Sequence, residues 1–98
     1  MYRIVYDNQE IKDIKNLKSV RLDEKAKKLI EVIKDNPFRN PPPYEALVGN
    51  LQGVYSRRIN IQHRLVYQVY NDPVELDGIK YDGTVKIIRM WTHYDGVR

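Results

Sequence analysis

The order of patterns along these 98 residues predicts an α+β domain, in which an N-terminal strand and a two-helix hairpin pack on an antiparallel β-sheet. Three observations carry that expectation. Tyr2-Arg-Ile-Val-Tyr6 is an apolar and aromatic run of strand character. Apolar residues then recur at helical spacing, first as Ile11, Ile14 and Leu17, and again as Ala26, Leu29, Ile30 and Ile33. From Val54 onward, β-branched and aromatic residues fall into runs separated by turn residues. With 42% hydrophobic residues, a chain of this length builds one core and not two, so residues 1–98 are read as a single domain.

Taken in order, the first strand gives way to Asp7 or Asn8, either of which suits a helix N-cap, and the first helix runs through Lys18. Leu22-Asp-Glu opens a second helix whose lysines, Lys25, Lys27, Lys28 and Lys34, spread over the outer surface. It ends near Asp35, because the residue before a proline is biased away from helical geometry and Asn36-Pro37 follows. Asn36 to Pro43 is a stiff, proline-rich connector with few backbone donors, expected to space helix from sheet. Tyr44-Glu-Ala-Leu-Val48 leaves that connector, so its rigid flank should hold Glu45 in a defined place, and Gly49 to Gly53 is a turn-forming stretch. Val54 to Ile61 and Arg64 to Tyr70 read as strands joined around Asn60 to His63, with His63 serving the turn. Thr84 to Trp91 reads as a third strand of the same meander. Asn71-Asp-Pro73, Asp77-Gly78 and Asp82-Gly83 are turn signals, so residues 71–83 form a long connection with room for a small extra hairpin.

Composition narrows the functional classes. The absence of cysteine excludes disulfides, thiolate zinc sites and thiol nucleophiles. A net charge of +4 favours an anionic partner such as nucleic acid or a ribosomal surface. No apolar run reaches membrane-spanning length and no signal-peptide pattern opens the chain, so no membrane association and a cytoplasmic location are expected. Between Asp35 and Asp72 the only carboxylate is Glu45, while Arg39, Arg57, Arg58, His63 and Arg64 share that interval. A lone potential base in a basic neighbourhood is what a phosphate-handling site needs.

Asn50-Leu-x-Gly-x-Tyr-Ser-Arg-Arg-Ile59, then His63-Arg-Leu-Val-Tyr67, and the near-terminal His93-Tyr94 after a strand ending in Trp91, resemble the YoeB (Txe) family of the RelE-like toxin-antitoxin toxins. The resemblance runs over essentially the whole chain in the family's order. It implies a RelE-like microbial RNase fold and a ribosome-dependent endoribonuclease that cuts messenger RNA in the decoding site and halts translation. It also implies contact with ribosomal RNA and neutralisation by a YefM-like antitoxin. Members of the family often dimerise, so the resemblance points towards a homodimer. Carried over residue by residue, the family's catalytic glutamate matches Glu45, its strand arginine Arg64, and its terminal histidine and tyrosine His93 and Tyr94. The Arg57-Arg58 pair matches as well, as RNA-binding residues. Gln62 and Val48 depart from the charged residues some members carry there, the 71–83 connection is longer than in compact members, and Asp95 to Arg98 extends beyond the terminal pair.

The chemistry agrees with those assignments. Cleaving RNA without a metal needs a base for the 2′-hydroxyl, a cation for the phosphate charge and an acid for the leaving 5′-oxygen. Glu45, Arg64 and His93 supply one of each, with Tyr94 orienting or stacking on the target nucleotide. No metal-ligand spacing is convincing, so neither a metal nor a cofactor is expected. Arg57 and Arg58 face opposite sides of a strand, so at most one enters the site, and Arg58 is favoured. In duller terms, Glu45 forms a surface ion pair with Arg39 or Arg64, Arg64 guards a strand edge, and Tyr55 and Tyr67 are core aromatics. Two other classes compete: a ParE-like toxin that binds DNA gyrase without any such catalytic set, and a non-catalytic RNA-binding or ribosome-associated domain.

Overall fold

The computed structural model describes residues 1–6, 10–47 and 53–90. Strand β1 (Tyr2–Tyr6) leads to helices α1 (Glu10–Ser19) and α2 (Asp23–Asp35), a two-residue strand β2 (Glu45–Ala46), and strands β3 (Val54–Arg58) and β4 (Arg64–Tyr70). A small hairpin, β5 (Val74–Leu76) with β6 (Ile79–Tyr81), precedes β7 (Gly83–Arg89). Among the described residues the main sheet has the order β1-β7-β4-β3-β2. The α+β class, the two helices, the β4 strand and the extra hairpin are as the sequence predicts.

The sheet is mixed, not wholly antiparallel. β1 pairs in parallel with β7, from Tyr2 opposite Gly83 to Tyr6 opposite Ile87, whereas the β7-β4, β4-β3 and β3-β2 pairs are antiparallel. A parallel pair needs a long crossover, and everything from α1 to β6 supplies it here. Strand β3 stops at Arg58, short of the expected Ile61, because the Asn60 side-chain oxygen accepts the Gln62 and His63 amides at 2.8 and 2.7 Å and closes the turn. The His63 carbonyl accepts the Ile59 amide at 2.8 Å, so His63 serves the turn as expected. The proposed N-cap at Asp7 or Asn8 and the residues Trp91, His93 and Tyr94 lie outside the described residues.

Alternation along the strands decides what each face holds. Leu65, Tyr67 and Val69 of β4 and Val85 and Ile87 of β7 join Leu17, Ala26 and Ile33 of the helices in the core. Arg64 and Val66 of β4 therefore point the other way. A register shift between Val66 and Tyr67 leaves Ile88 as an extra residue on β7, a bulge that bends the strand near its end. At that end, buried Asp13 of α1 accepts from Arg89 Nε at 2.9 Å, from Arg89 Nη2 at 3.2 Å and from the Met90 amide at 2.9 Å.

Candidate active site

Glu45 reaches its place through the connector and not through the core. It lies on β2, opposite Ser56 of β3, which in turn lies opposite Val66 of β4; Ala46 lies opposite Tyr55, and the Leu47 amide donates to the Val54 carbonyl at 2.9 Å. This cross-strand row puts the Glu45, Ser56 and Val66 side chains on one face, and Arg58 and Arg64 form the next pair along that face.

The two expected chemical partners meet there. Arg64 Nη1 stands 3.5 Å from Glu45 Oε2 and donates to Ser56 Oγ at 3.0 Å. The Glu45 side chain is 66% exposed and that of Arg64 22% exposed, so the carboxylate is open to solvent while the guanidinium is held against the sheet. Arg39 pairs with Asp35 at 3.6 Å instead of with Glu45. Ser56 was not singled out in the sequence as a site residue; its register opposite Glu45 is the signal, and that requires the β2-β3 pairing.

Arg58 is exposed, faces Arg64 across the strand pair, and lines a groove with Lys25 and Lys28 of α2 and Pro42 and Pro43 of the connector. Arg57, carried over with Arg58 as an RNA-binding residue, lies on the opposite face of β3. Arg57 is only 1% exposed, and its guanidinium is committed inward. Nη1 donates to the Pro42 carbonyl at 2.6 Å, Nη2 to the carbonyls of Pro37 and Arg39 at 3.0 and 2.9 Å, and Nε to the Tyr67 hydroxyl at 3.1 Å. The Tyr67 hydroxyl donates onward to the Pro37 carbonyl at 2.9 Å. Prolines cannot donate, so the carbonyls of this connector need donors from elsewhere, and the arginine fork brings several from one side chain. Burial raises the Tyr67 hydroxyl above its ordinary pKa of 10.0, and the neighbouring Arg57 charge offsets only part of that rise.

Aromatic rings complete the support. Phe38, Tyr44, Tyr55 and Tyr67 form a chain of contacts with ring centroids between 5.2 and 6.0 Å apart, and the Arg57 guanidinium carbon stands 5.1 Å from the Tyr44 ring centre. Tyr55 and Tyr67 thus pack in and against the core, as the duller reading of these aromatics expects. Among the described residues, no group of three or more His, Cys, Asp or Glu side chains is placed to hold a metal ion, and no helix is long and apolar enough to cross a membrane.

Solved structures share this architecture. A YoeB/ParE toxin from Agrobacterium tumefaciens superposes with a TM-score of 0.75 at 28% identity, covering 94% of this chain and 99% of that one. A chain of the heterotetrameric YoeB-YefM toxin-antitoxin complex from Staphylococcus aureus gives 0.69 at 31% identity, covering 96% of this chain and 99% of its own. The fold is therefore of the RelE-like toxin class. The Escherichia coli K12 toxin YoeB is 43% identical over 59 residues, which make up 57% of this chain and 70% of that protein. The family described as "YoeB-like toxin of bacterial type II toxin-antitoxin system" matches residues 6–94, and the chain belongs to it.

Proposed function

We propose that this toxin is a ribosome-dependent endoribonuclease that cuts messenger RNA in the decoding site, in the cytoplasm, and so inhibits translation. The observation that carries it is the approach of Arg64 Nη1 to Glu45 Oε2, 3.5 Å, on a face where the carboxylate is open. Glu45 takes the proton of the 2′-hydroxyl. Arg64, held by Ser56, binds the phosphate and stabilises the charge that builds on it as the 2′-oxygen attacks. His93 protonates the departing 5′-oxygen and Tyr94 orients the nucleotide; both lie outside the described residues and enter through the family's pattern. Arg58, exposed beside the pair, contacts the RNA backbone. Each positioned acid or base contributes roughly a hundredfold to ten-thousandfold.

Partners follow from relatives. The S. aureus structures include a YoeB-YefM complex and a YoeB dimer, which support a YefM-like antitoxin and a homodimer for this chain. The test is cleavage of a defined messenger RNA in a purified translation system, with and without ribosomes, comparing the native chain with Glu45→Gln and His93→Ala. Cuts that need the ribosome and vanish in both variants are expected. Translation that stalls on intact message, unchanged by either substitution, would sink the nuclease reading and leave a ribosome-blocking binding inhibitor.

A further inference from the structure

We infer that Arg57 is a positioning residue for Glu45: its buried guanidinium fixes the proline-rich connector and the Tyr44 ring, and through them the carboxylate that follows. This rests on the catalytic reading of Glu45.

A buried guanidinium is costly unless its donors are satisfied, and in most proteins a carboxylate shares that work. Among the described residues no carboxylate pairs with Arg57. Its hydrogen bonds go instead to the carbonyls of Pro37, Arg39 and Pro42 and to the Tyr67 hydroxyl. Those carbonyls are spread along the connector, so one rigid side chain from β3 determines where the whole connector lies. Tyr44, the residue before Glu45, packs on both Phe38 and Tyr55 and carries the guanidinium on its ring face at 5.1 Å. β2 is only two residues long and its Glu45 and Ala46 are exposed, so its own strand pairing gives Glu45 little restraint. The connector must supply the rest. Arg57 and Glu45 also approach from opposite faces: Arg57 works from the core side, while Glu45 presents its carboxylate on the side of Arg64.

The experiment compares kcat and KM for ribosome-bound messenger RNA in the native chain, Arg57→Lys, Tyr44→Leu and Ile33→Val, with hydrogen exchange of the Leu47 amide measured on each. Lysine keeps the charge but replaces a planar fork of five donors with a single nitrogen that cannot span these acceptors. Arg57→Lys is expected to lower kcat by about ten- to a hundredfold, as a misplaced catalytic group does, while KM stays within about twofold. The Leu47 amide, bonded to the Val54 carbonyl beside Glu45, should exchange faster. Tyr44→Leu leaves Arg57 its hydrogen bonds to the connector but removes the ring that it and Phe38 and Tyr55 hold beside Glu45, so it should shift both readouts the same way by a smaller factor. Ile33→Val loosens the core without removing any of the hydrogen bonds that hold the connector and should leave both unchanged. A native kcat in Arg57→Lys, an unaltered Leu47 exchange, or an equal kcat loss in Ile33→Val would overturn the inference. Cleavage undiminished in Glu45→Gln would instead sink the catalytic reading, and the Leu47 exchange would still decide whether Arg57 fixes this segment.

Discussion

Asp13 and Arg89 are 76 residues apart, yet the Asp13 carboxylate accepts two guanidinium hydrogen bonds from Arg89 and a third from the Met90 amide. The pair ties α1 to the end of β7, immediately before the segment that carries His93 and Tyr94. Asp13 is 2% exposed while the Arg89 side chain is 33% exposed, so removing the carboxylate takes three hydrogen bonds from a largely dry junction.

Asp13→Ala should therefore destabilise the fold by about 2–4 kcal/mol, below the full cost of breaking a wholly buried pair because Arg89 keeps some solvent. Urea unfolding followed by circular dichroism measures it; a loss under about 0.5 kcal/mol, the range of an ordinary surface change, would show that the carboxylate holds nothing.

Ser56→Ala removes the acceptor at 3.0 Å from Arg64 Nη1 and leaves the Glu45-Arg64 approach as the guanidinium's remaining restraint on that side. Messenger RNA cleavage should fall about three- to thirtyfold, in keeping with a net hydrogen-bond contribution of about 1 kcal/mol and some misorientation of the cation. Unchanged cleavage with an unchanged salt dependence would mean that Arg64 finds its place without the serine.

Tyr67 predicts a specific alkaline behaviour. Burial raises its pKa in the folded state above the ordinary 10.0 that the unfolded chain shows. A group shifted in that direction contributes stability that is intact below pH 10 and is lost as the pH rises through the folded value. Tyr67→Phe cannot ionise and loses the hydroxyl bonded to Arg57 and Pro37, so at pH 8 it should be less stable than the native chain by about 1–3 kcal/mol. That gap should narrow as the pH is raised above 10, since the other tyrosines are common to both proteins. Unfolding midpoints at pH 8 and 10.5 that keep a constant separation would contradict the burial effect.

Two glycines should behave differently although the sequence marks both as turn residues. A Cβ on Gly83 would sit 2.2 Å from the Tyr70 carbonyl oxygen and 2.9 Å from the Tyr2 ring, so β7 starts where β1 and β4 leave no room for a side chain. Gly78, at φ +79, meets nothing within 4 Å and only requires left-handed backbone. Gly83→Ala should cost more than about 3 kcal/mol, as large losses from overpacking against backbone do, whereas Gly78→Ala should cost about 1–2 kcal/mol of local strain. Thermal unfolding of the two variants checks the order, and a Gly83→Ala protein as stable as Gly78→Ala would refute it.

How far the sequence reached depends on the range of the interaction that decides each feature. Helix and strand positions follow from apolar spacing over a few residues, so α2 ends at Asp35 and β4 spans Arg64–Tyr70 as predicted. The 71–83 hairpin follows from Asp77-Gly78, whose φ values of 51 and 79 belong to a tight turn with left-handed backbone at both positions. Glu45 was legible as the lone carboxylate in a basic interval. What one sequence by itself determined, then, is the set of elements and the residues with the right chemistry. Only the tertiary structure decided that β1 joins β7 in parallel, that Glu45 and Arg64 meet across three strands, and that of two adjacent arginines Arg58 faces outward while Arg57 is drawn into the core side. Local pattern assigns the two arginines to opposite faces of a strand but says nothing about what waits on each. The proline-rich connector lying over one face, with more carbonyls than backbone donors, makes that side the place where a buried guanidinium is stable.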